Sequence, residues 1–424
     1  MGRAVALLVC LVALAAPAAA SAEDPPFIDW TPLLPGFPTG YQPSKERDCL
    51  DGSNACIERT LREMYRRFDR LYATCDHNSL FALVYIRVTE AIRRSVLEGL
   101  YEEPTFLNHE DAVFARMYFD AYDAWERGDR ATVPDAWEAA FDAARERRVA
   151  GIGNLLMSMN AHVNRDMPFM LANLGLTMPS GASRKPDHDR GNQVLSPLYD
   201  DMFQEVARRW DPTILNYDIP GMAYDDAGFF QTLQGWREQV WRHAEMLVSA
   251  PTPEAREAVA EYIESYALST GRSIEANTQM DPKARDAHCA AYRRENREVG
   301  ALARAVIRRG GLRTRRRGVV VRVACPAGIR SCDGTLFLDR LRRPKARRRA
   351  IAARVRRPVL LASAPLPAIR PGDTARVRLG LARRTRRAVR RVARFRVRAR
   401  VKTATPWGLD VSSARRARLR APRR

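Results

Sequence analysis

The polar residues Asn160, His162, Asn164, Arg165 and Asp166 sit inside an otherwise apolar stretch, NLLMSMNAHVNRDMPFMLANLGL, residues 154–176. On a helix, Leu155, Met159, His162 and Asp166 fall at i, i+4, i+7 and i+11, along one stripe. That stripe should face a core. An imidazole and a carboxylate one turn apart are then expected to point inward, where buried polar groups need partners. Pro168 follows at once, and its ring should kink the helix and free the carbonyl of Asn164. Two further histidines have suggestive company: Asn108-His109-Glu110-Asp111 opens a helix, and Asp187-His188-Asp189 leads to Asn192. Imidazole nitrogens and carboxylate oxygens at such spacing suit zinc or another divalent metal. A metal-bound water would then be the nucleophile of a hydrolysis. His109, His162, Asp166 and His188 are therefore the candidate metal ligands, with His77, Asp187, Asn192 and His243 behind them. Arg165, Arg184 and Lys185 are candidate anion holders if the ligand is organic and no metal binds. The competing reading is a satisfied buried hydrogen-bond network that fixes helix packing. No residue can be assigned a catalytic role from spacing alone. Ser180-Gly181-Ala182-Ser183 lacks the G-x-S-x-G elbow and reads as a loop.

The elements that must position these groups read as helices. ACIERTLREMYRRFDRLYA places Ile57, Leu61, Met64, Phe68 and Leu71 at helical spacing. SLFALVYIRVTEAIRRSVLEGLY follows, with Asp76 as a plausible N-cap. Further helices are expected from about Glu110 to Arg127, from Pro134 onward, through the central stretch, over about Gln193–Arg209, and in three segments ending near Cys289. TMPSGASRKPDHDRGN and DPTILNYDIPGMAYDDAG read as loops. Almost no alternating runs occur before residue 318. The first domain, residues 49–302, is therefore predicted to be all-α with eight or nine helices.

Charge divides the chain. Residues 303–424 hold 39 of its 71 Lys+Arg and only 4 of its 49 Asp+Glu. The remainder is acidic, so the whole-chain net charge of +22 describes neither part. RRGGLRTRRRG, within residues 303–317, reads as a basic linker. Beyond it, period-2 alternation in GVVVRVAC, GTLFLDRL, TARVRLGL and RFRVRARVKT predicts a small Arg-rich β-sandwich over residues 318–424, with a helical crossover near residues 382–392. Aromatic interleaving is sparse in this module, so a specific nucleic-acid platform is not expected. Acidic cell-wall polymers or anionic lipid surfaces are the expected partners.

Residues 1–22 combine Arg3, an apolar run and an Ala-rich cleavage zone, the pattern of a cleaved secretory signal. Residues 23–48 are a Pro-rich extended lead-in. An even number of remaining cysteines fits disulfides in an exported chain. Cys325 and Cys332 should pair. Cys49, Cys56, Cys75 and Cys289 allow three connectivities, of which Cys49–Cys56 with Cys75–Cys289 is favoured.

The series FDRLYATCDHNSLFALVYIRVTE, NHEDAVFARMYFDAYDAW, NAHVNRDMPF and RKPDHDRGN resembles a bacterial family of unknown function, number 5995, over about residues 45–275. The resemblance implies an all-α domain and no established activity. CPAGIRSCDGTLFL and RPGDTARVRLGL are similar to cysteine-bridged β-modules appended to exported proteins of high-GC bacteria. The clustered histidines share only a theme with zinc-dependent phospholipases C and P1-type nucleases, since the second HxxxD is His188-x-x-x-Asn192 here. Two function classes follow from the sequence: an exported metal-dependent hydrolase, or a non-catalytic cell-envelope binding or scaffold protein.

Overall fold

The computed structural model describes residues 28–217, 225–296, 305–315, 318–325, 332–341, 359–370, 372–391, 395–404 and 410–419. The expected signal segment lies outside them. The first part of the chain is helical: α1 (Asn54–Tyr72), α2 (Ser79–Leu97), α3 (Pro104–Arg127), α4 (Asp135–Arg145), α5 (Gly151–Asn160), α6 (Met167–Leu174), α7 (Lys185–Leu195), α8 (Tyr199–Arg209), α9 (Asp225–Ser249), α10 (Pro253–Asn277) and α11 (Lys283–Glu295). The all-α expectation holds, and the helix count exceeds it for two reasons. The central helix is divided by a π turn. The segment read as a loop from RKPDHDRGN is α7, with a proline in its first turn, where the missing N–H costs nothing. For the same reason α3 starts at Pro104 rather than near Glu110.

Helix α1 buries the stripe Ile57, Leu61, Met64, Phe68 and Leu71. Helix α2 is buried nearly all round, including Arg87, whose guanidinium meets Glu205 and Glu90 inside the core. One large cluster, with Phe81, Tyr118, Trp137 and Phe141 among its members, fills the space between α2, α3 and α4. Disulfides join Cys49 to Cys56 and Cys75 to Cys289, the second tying α11 to the end of α1.

The C-terminal module consists of β1 (Val306–Arg315), β2 (Gly318–Ala324), β3 (Cys332–Arg340), β4 (Val359–Ile369), β5 (Thr374–Gly380), α12 (Arg383–Arg391), β6 (Phe395–Ala404) and β7 (Asp410–Leu419). Antiparallel strands form two sheets, in the orders β1-β2-β5 and β4-β3-β6-β7. Their inner faces share one core, where Val321, Val323 and Leu379 join Leu336, Leu338, Val397 and Val401. The expected basic linker is in fact β1, paired antiparallel with β2 and irregular between Ile307 and Leu312. Its Gly310-Gly311 break hides the alternation that marks β2, β3, β5 and β6. Cys325 and Cys332 are bridged, as expected. Because β2 and β3 lie in different sheets, this bridge staples one sheet to the other.

Candidate functional site

Pro168 shapes the site. It has no N–H to donate, and its ring would collide with the Asn164 carbonyl in a regular α-helix. The chain answers by widening: residues Ala161–Asp166 form a π turn, and the Met167 N–H reaches the carbonyl of His162, five residues back. Single π turns of this kind recur where a helix carries function. The expected inward stripe is present, with Leu155, His162 and Asp166 buried and Met159 half-buried.

Three donors converge on the Asp166 carboxylate. His162 Nδ1 lies 3.0 Å from Oδ2, Trp137 Nε1 donates to the same oxygen at 2.8 Å, and Arg165 Nη1 donates to Oδ1 at 3.0 Å. A carboxylate can only accept, so Nδ1 of His162 carries the hydrogen and Nε2 presents a lone pair. The imidazole is stacked face to face on Phe114, 3.5 Å between centroids and 7° between planes, with Tyr85 edge-on at 4.6 Å. Burial lowers its pKa, and Asp166 only partly opposes this. The ring is therefore a neutral base at neutral pH. Its Nε2 is buried and has no partner among the described residues, and neither has the Tyr85 hydroxyl. Both residues line a cavity of about 110 Å³ whose walls are mostly apolar, Val84, Leu155, Met159 and Met202 among them.

The cavity has one cationic wall, Arg237 of α9. Its Nε donates to Asn192 Oδ1 at 2.7 Å and its Nη2 to the His188 carbonyl at 2.5 Å. His188 in turn donates Nε2–H to the carbonyl of Arg237 at 3.1 Å. Gly191 leaves room for this clamp, because a Cβ there would lie 2.8 Å from Arg237 Nη2 and displace it. The direct acceptors of the guanidinium are neutral, and among the described residues no carboxylate lies at ion-pair distance from it. Glu110 of α3 acts on it from further away, and burial lifts the Glu110 carboxyl to about 7. The neighbouring Asp111 is pushed well above the carboxylate range, by burial and then by Glu110.

Of the candidate metal ligands, His162 and Asp166 meet each other, and the rest are engaged elsewhere. His109 is spent on the lead-in, with Nδ1 2.5 Å from the Asp48 carbonyl and Nε2 2.8 Å from Ser44 Oγ. His188 and Asn192 hold Arg237. Asp187 accepts the N–H groups of Glu102 and Glu103 ahead of α3. His77 sits between Asp286, 2.8 Å from its Nε2, and Arg285, 3.2 Å from its Nδ1; burial, reinforced by Arg285, lowers its pKa to about 4. His243 packs edge-on against Tyr262 and Tyr266. Among the described residues, no group of three or more His, Cys, Asp or Glu is placed to hold a metal ion. The expected anion holders are likewise engaged by carboxylates: Arg165 by Asp166 and Glu264, Arg184 by Glu103, and Lys185 by Asp189 and Glu238.

Sequence spacing missed the aromatic frame of Phe114, Tyr85 and Trp137, and it missed Arg237, since WREQVWRH reads only as packing and ion pairs on a helix. Only the inward register of α9 could have marked Arg237, and that register depends on which neighbours cover the helix. Residues 57–277 match a family of unknown function (DUF5995). No curated protein and no solved structure matches the chain.

Proposed function

This chain belongs to the DUF5995 family of unknown function, and on the geometry of its site we propose that it is an exported protein whose helical domain binds a small, mainly apolar molecule carrying one hydrogen-bond donor. The observation that carries this reading is His162, whose ring lines a mostly apolar cavity and whose Nε2 lone pair has no partner among the described residues. Leaving such a group bare costs about 1–3 kcal/mol, which a ligand O–H or N–H recovers. The volume sets the size. A cavity of about 150 Å³ holds benzene, so about 110 Å³ takes roughly four or five non-hydrogen atoms, or the end of a longer molecule. Export is supported by three disulfides, which suit an oxidising compartment, and by the signal-like residues 1–22. Among the described residues no helix is long and apolar enough to cross a membrane.

A second reading, hydrolysis, has its own observation: Arg237 is a buried cation on the same cavity without a direct carboxylate partner. The dyad has the form of a general base, with Asp166 orienting the imidazole and Nε2 free to take a proton from water. Arg237 would stabilise the developing oxyanion. Metal is not required by this arrangement.

The test compares C3–C5 alcohols with hydrocarbons of equal size on the full chain, by the His162 ring resonances and by thermal shift. Alcohols should bind more tightly, and His162→Leu should abolish the difference. Equal binding of both series, or a preference unchanged in His162→Leu, would discard the reading. Hydrolysis of short aliphatic esters that vanishes in both His162→Leu and Arg237→Gln would establish the second one.

A further inference from the structure

We propose that the outer face of the β6–β7 ribbon binds an extended, linear polyanion of the cell envelope, laid along the strands. Along β6, Arg396, Arg398, Arg400 and Lys402 alternate with the buried Phe395, Val397, Ala399 and Val401, so all four leave the same face. The antiparallel register sets Arg396 directly opposite Arg418 and Arg398 opposite Arg416. Like charges directly opposite in a sheet destabilise it. One buried carboxylate relieves part of this, since Asp339 accepts from both Arg398 and Arg400. Arg396, Arg416 and Arg418 are exposed, and among the described residues no acidic group pairs with them.

The other sheet repeats the pattern. Arg322 stands opposite Arg376, both exposed, with exposed Arg313 and Arg378 on either side of Val320. A fold that places like charges opposite one another on both outer faces carries a cost that a polyanion removes.

The shape of the charge selects the partner. Alternate residues of a strand are about 6.8 Å apart and neighbouring strands about 4.8 Å. The cations therefore form two rows along the strands rather than a cup. A free phosphate would meet only two arginines there. A polymer with one negative charge per unit of comparable length meets a cation at each step. Phosphodiester-linked polyols and polyuronates both have this character, and the shared chemistry is a regularly spaced linear anion.

The test measures binding of the full chain to poly(glycerol phosphate) and to polygalacturonate between about 0.05 and 0.2 M salt. Two triple variants remove the same charge from the same module. The face variant carries Arg396→Gln, Arg416→Gln and Arg418→Gln. The control carries Arg383→Gln, Arg384→Gln and Arg387→Gln on α12, where all three are exposed. The face variant should weaken binding about a hundredfold, at roughly fivefold per arginine. Its salt slope should fall by about 2, at about 0.7 per lost contact. The control should lose less than about fivefold. Arg416→Glu alone, a milder change able to pair with Arg398, should cost about tenfold and guards against loss of fold in the triple variant. Binding of one polymer and not the other identifies the anion and supports the proposal. Equal losses in the two triple variants, or binding of neither polymer, would overturn it.

Discussion

Replacing Asp166 by Asn tests whether the carboxylate holds the imidazole. The change is nearly isosteric, so packing is conserved and hydrogen bonding carries the effect. Asp166 takes three donors, from His162, Trp137 and Arg165, at 2.8–3.0 Å. An amide offers one oxygen and one NH₂. With its oxygen in the Oδ2 position, the bonds from Trp137 and His162 survive without their charge assistance. The NH₂ then faces the Arg165 guanidinium, donor against donor. Arg165 keeps Glu264, 2.7 Å away, which limits the damage. Losing one charge-assisted bond and weakening two comes to about 2–4 kcal/mol. For a domain of this size that lowers Tm by about 5–15 °C. The imidazole should also become less basic, because Asp166 is the group that raises its pKa against burial. Calorimetry of the full chain reads the first effect, and titration of the His162 ring protons the second. A Tm within about 2 °C of the parent together with an unmoved titration would refute the dyad.

Other consequences follow from groups outside the dyad. His77 has a folded pKa of about 4 against about 6.5 unfolded, so the unfolded chain binds more protons between these values. Stability should fall as pH drops from about 6.5 to 4, by up to about 3 kcal/mol. His77→Asn should flatten that part of a stability–pH curve, and an unchanged slope would contradict the assignment. Gly191→Ala should push the Arg237 guanidinium off the His188 carbonyl and weaken ligand binding more than it lowers Tm; unchanged affinity would show that Arg237 takes no part. Replacing Cys75 and Cys289 by Ala opens a loop with a sequence separation of 214, worth about 5 kcal/mol by chain entropy. The pair Cys325 and Cys332, separated by 7, is worth about half as much, and denaturant titration should reproduce the order. Chelator should leave ligand binding intact; stoichiometric zinc lost on His162→Ala would restore the metal reading.

How far the sequence could be read depends on what each signal reports. Apolar spacing reports burial, so the faces of α1 and α2, the alternation of β2, β3, β5 and β6, and the inward stripe through His162 are legible. It does not report partners. His109, His188 and Asp187 look like a ligand set because histidine and aspartate in the core are scarce. Each is instead consumed locally, by the lead-in, by Arg237 and by the start of α3. The string DHDRGN failed as a loop because its charges turn inward on α7, where Lys185, Asp189 and Glu238 neutralise one another. β4 and β7 were missed with β1, since VLLASAPLPAI and DVSSARRARL do not alternate cleanly.

The choice between a structural network and a site turns on which atoms are left over. A network whose only task is to hold helices should satisfy its members, because an orphaned buried group offsets what the others contribute. Around Asp166 that condition is met at the carboxylate itself, where Trp137 and Arg165 each donate, and at Asn160, whose Nδ2 reaches across to the Ala267 carbonyl on α10, but not at Asn164 Oδ1, which has no partner among the described residues. At the next atom outward it fails. The His162 ring is fixed by Asp166 on one edge and by Phe114 across its face, yet Nε2 and the nearby Tyr85 hydroxyl are bare beside a void. Filling that void would have been simple: a larger residue at Val84 would close it. Val84→Phe should therefore raise the stability of the ligand-free protein while removing alcohol binding. A variant that is stabilised and still binds would place the ligand elsewhere, and one that is destabilised by more than about 3 kcal/mol, as overpacking would be, would mean that the space is already full.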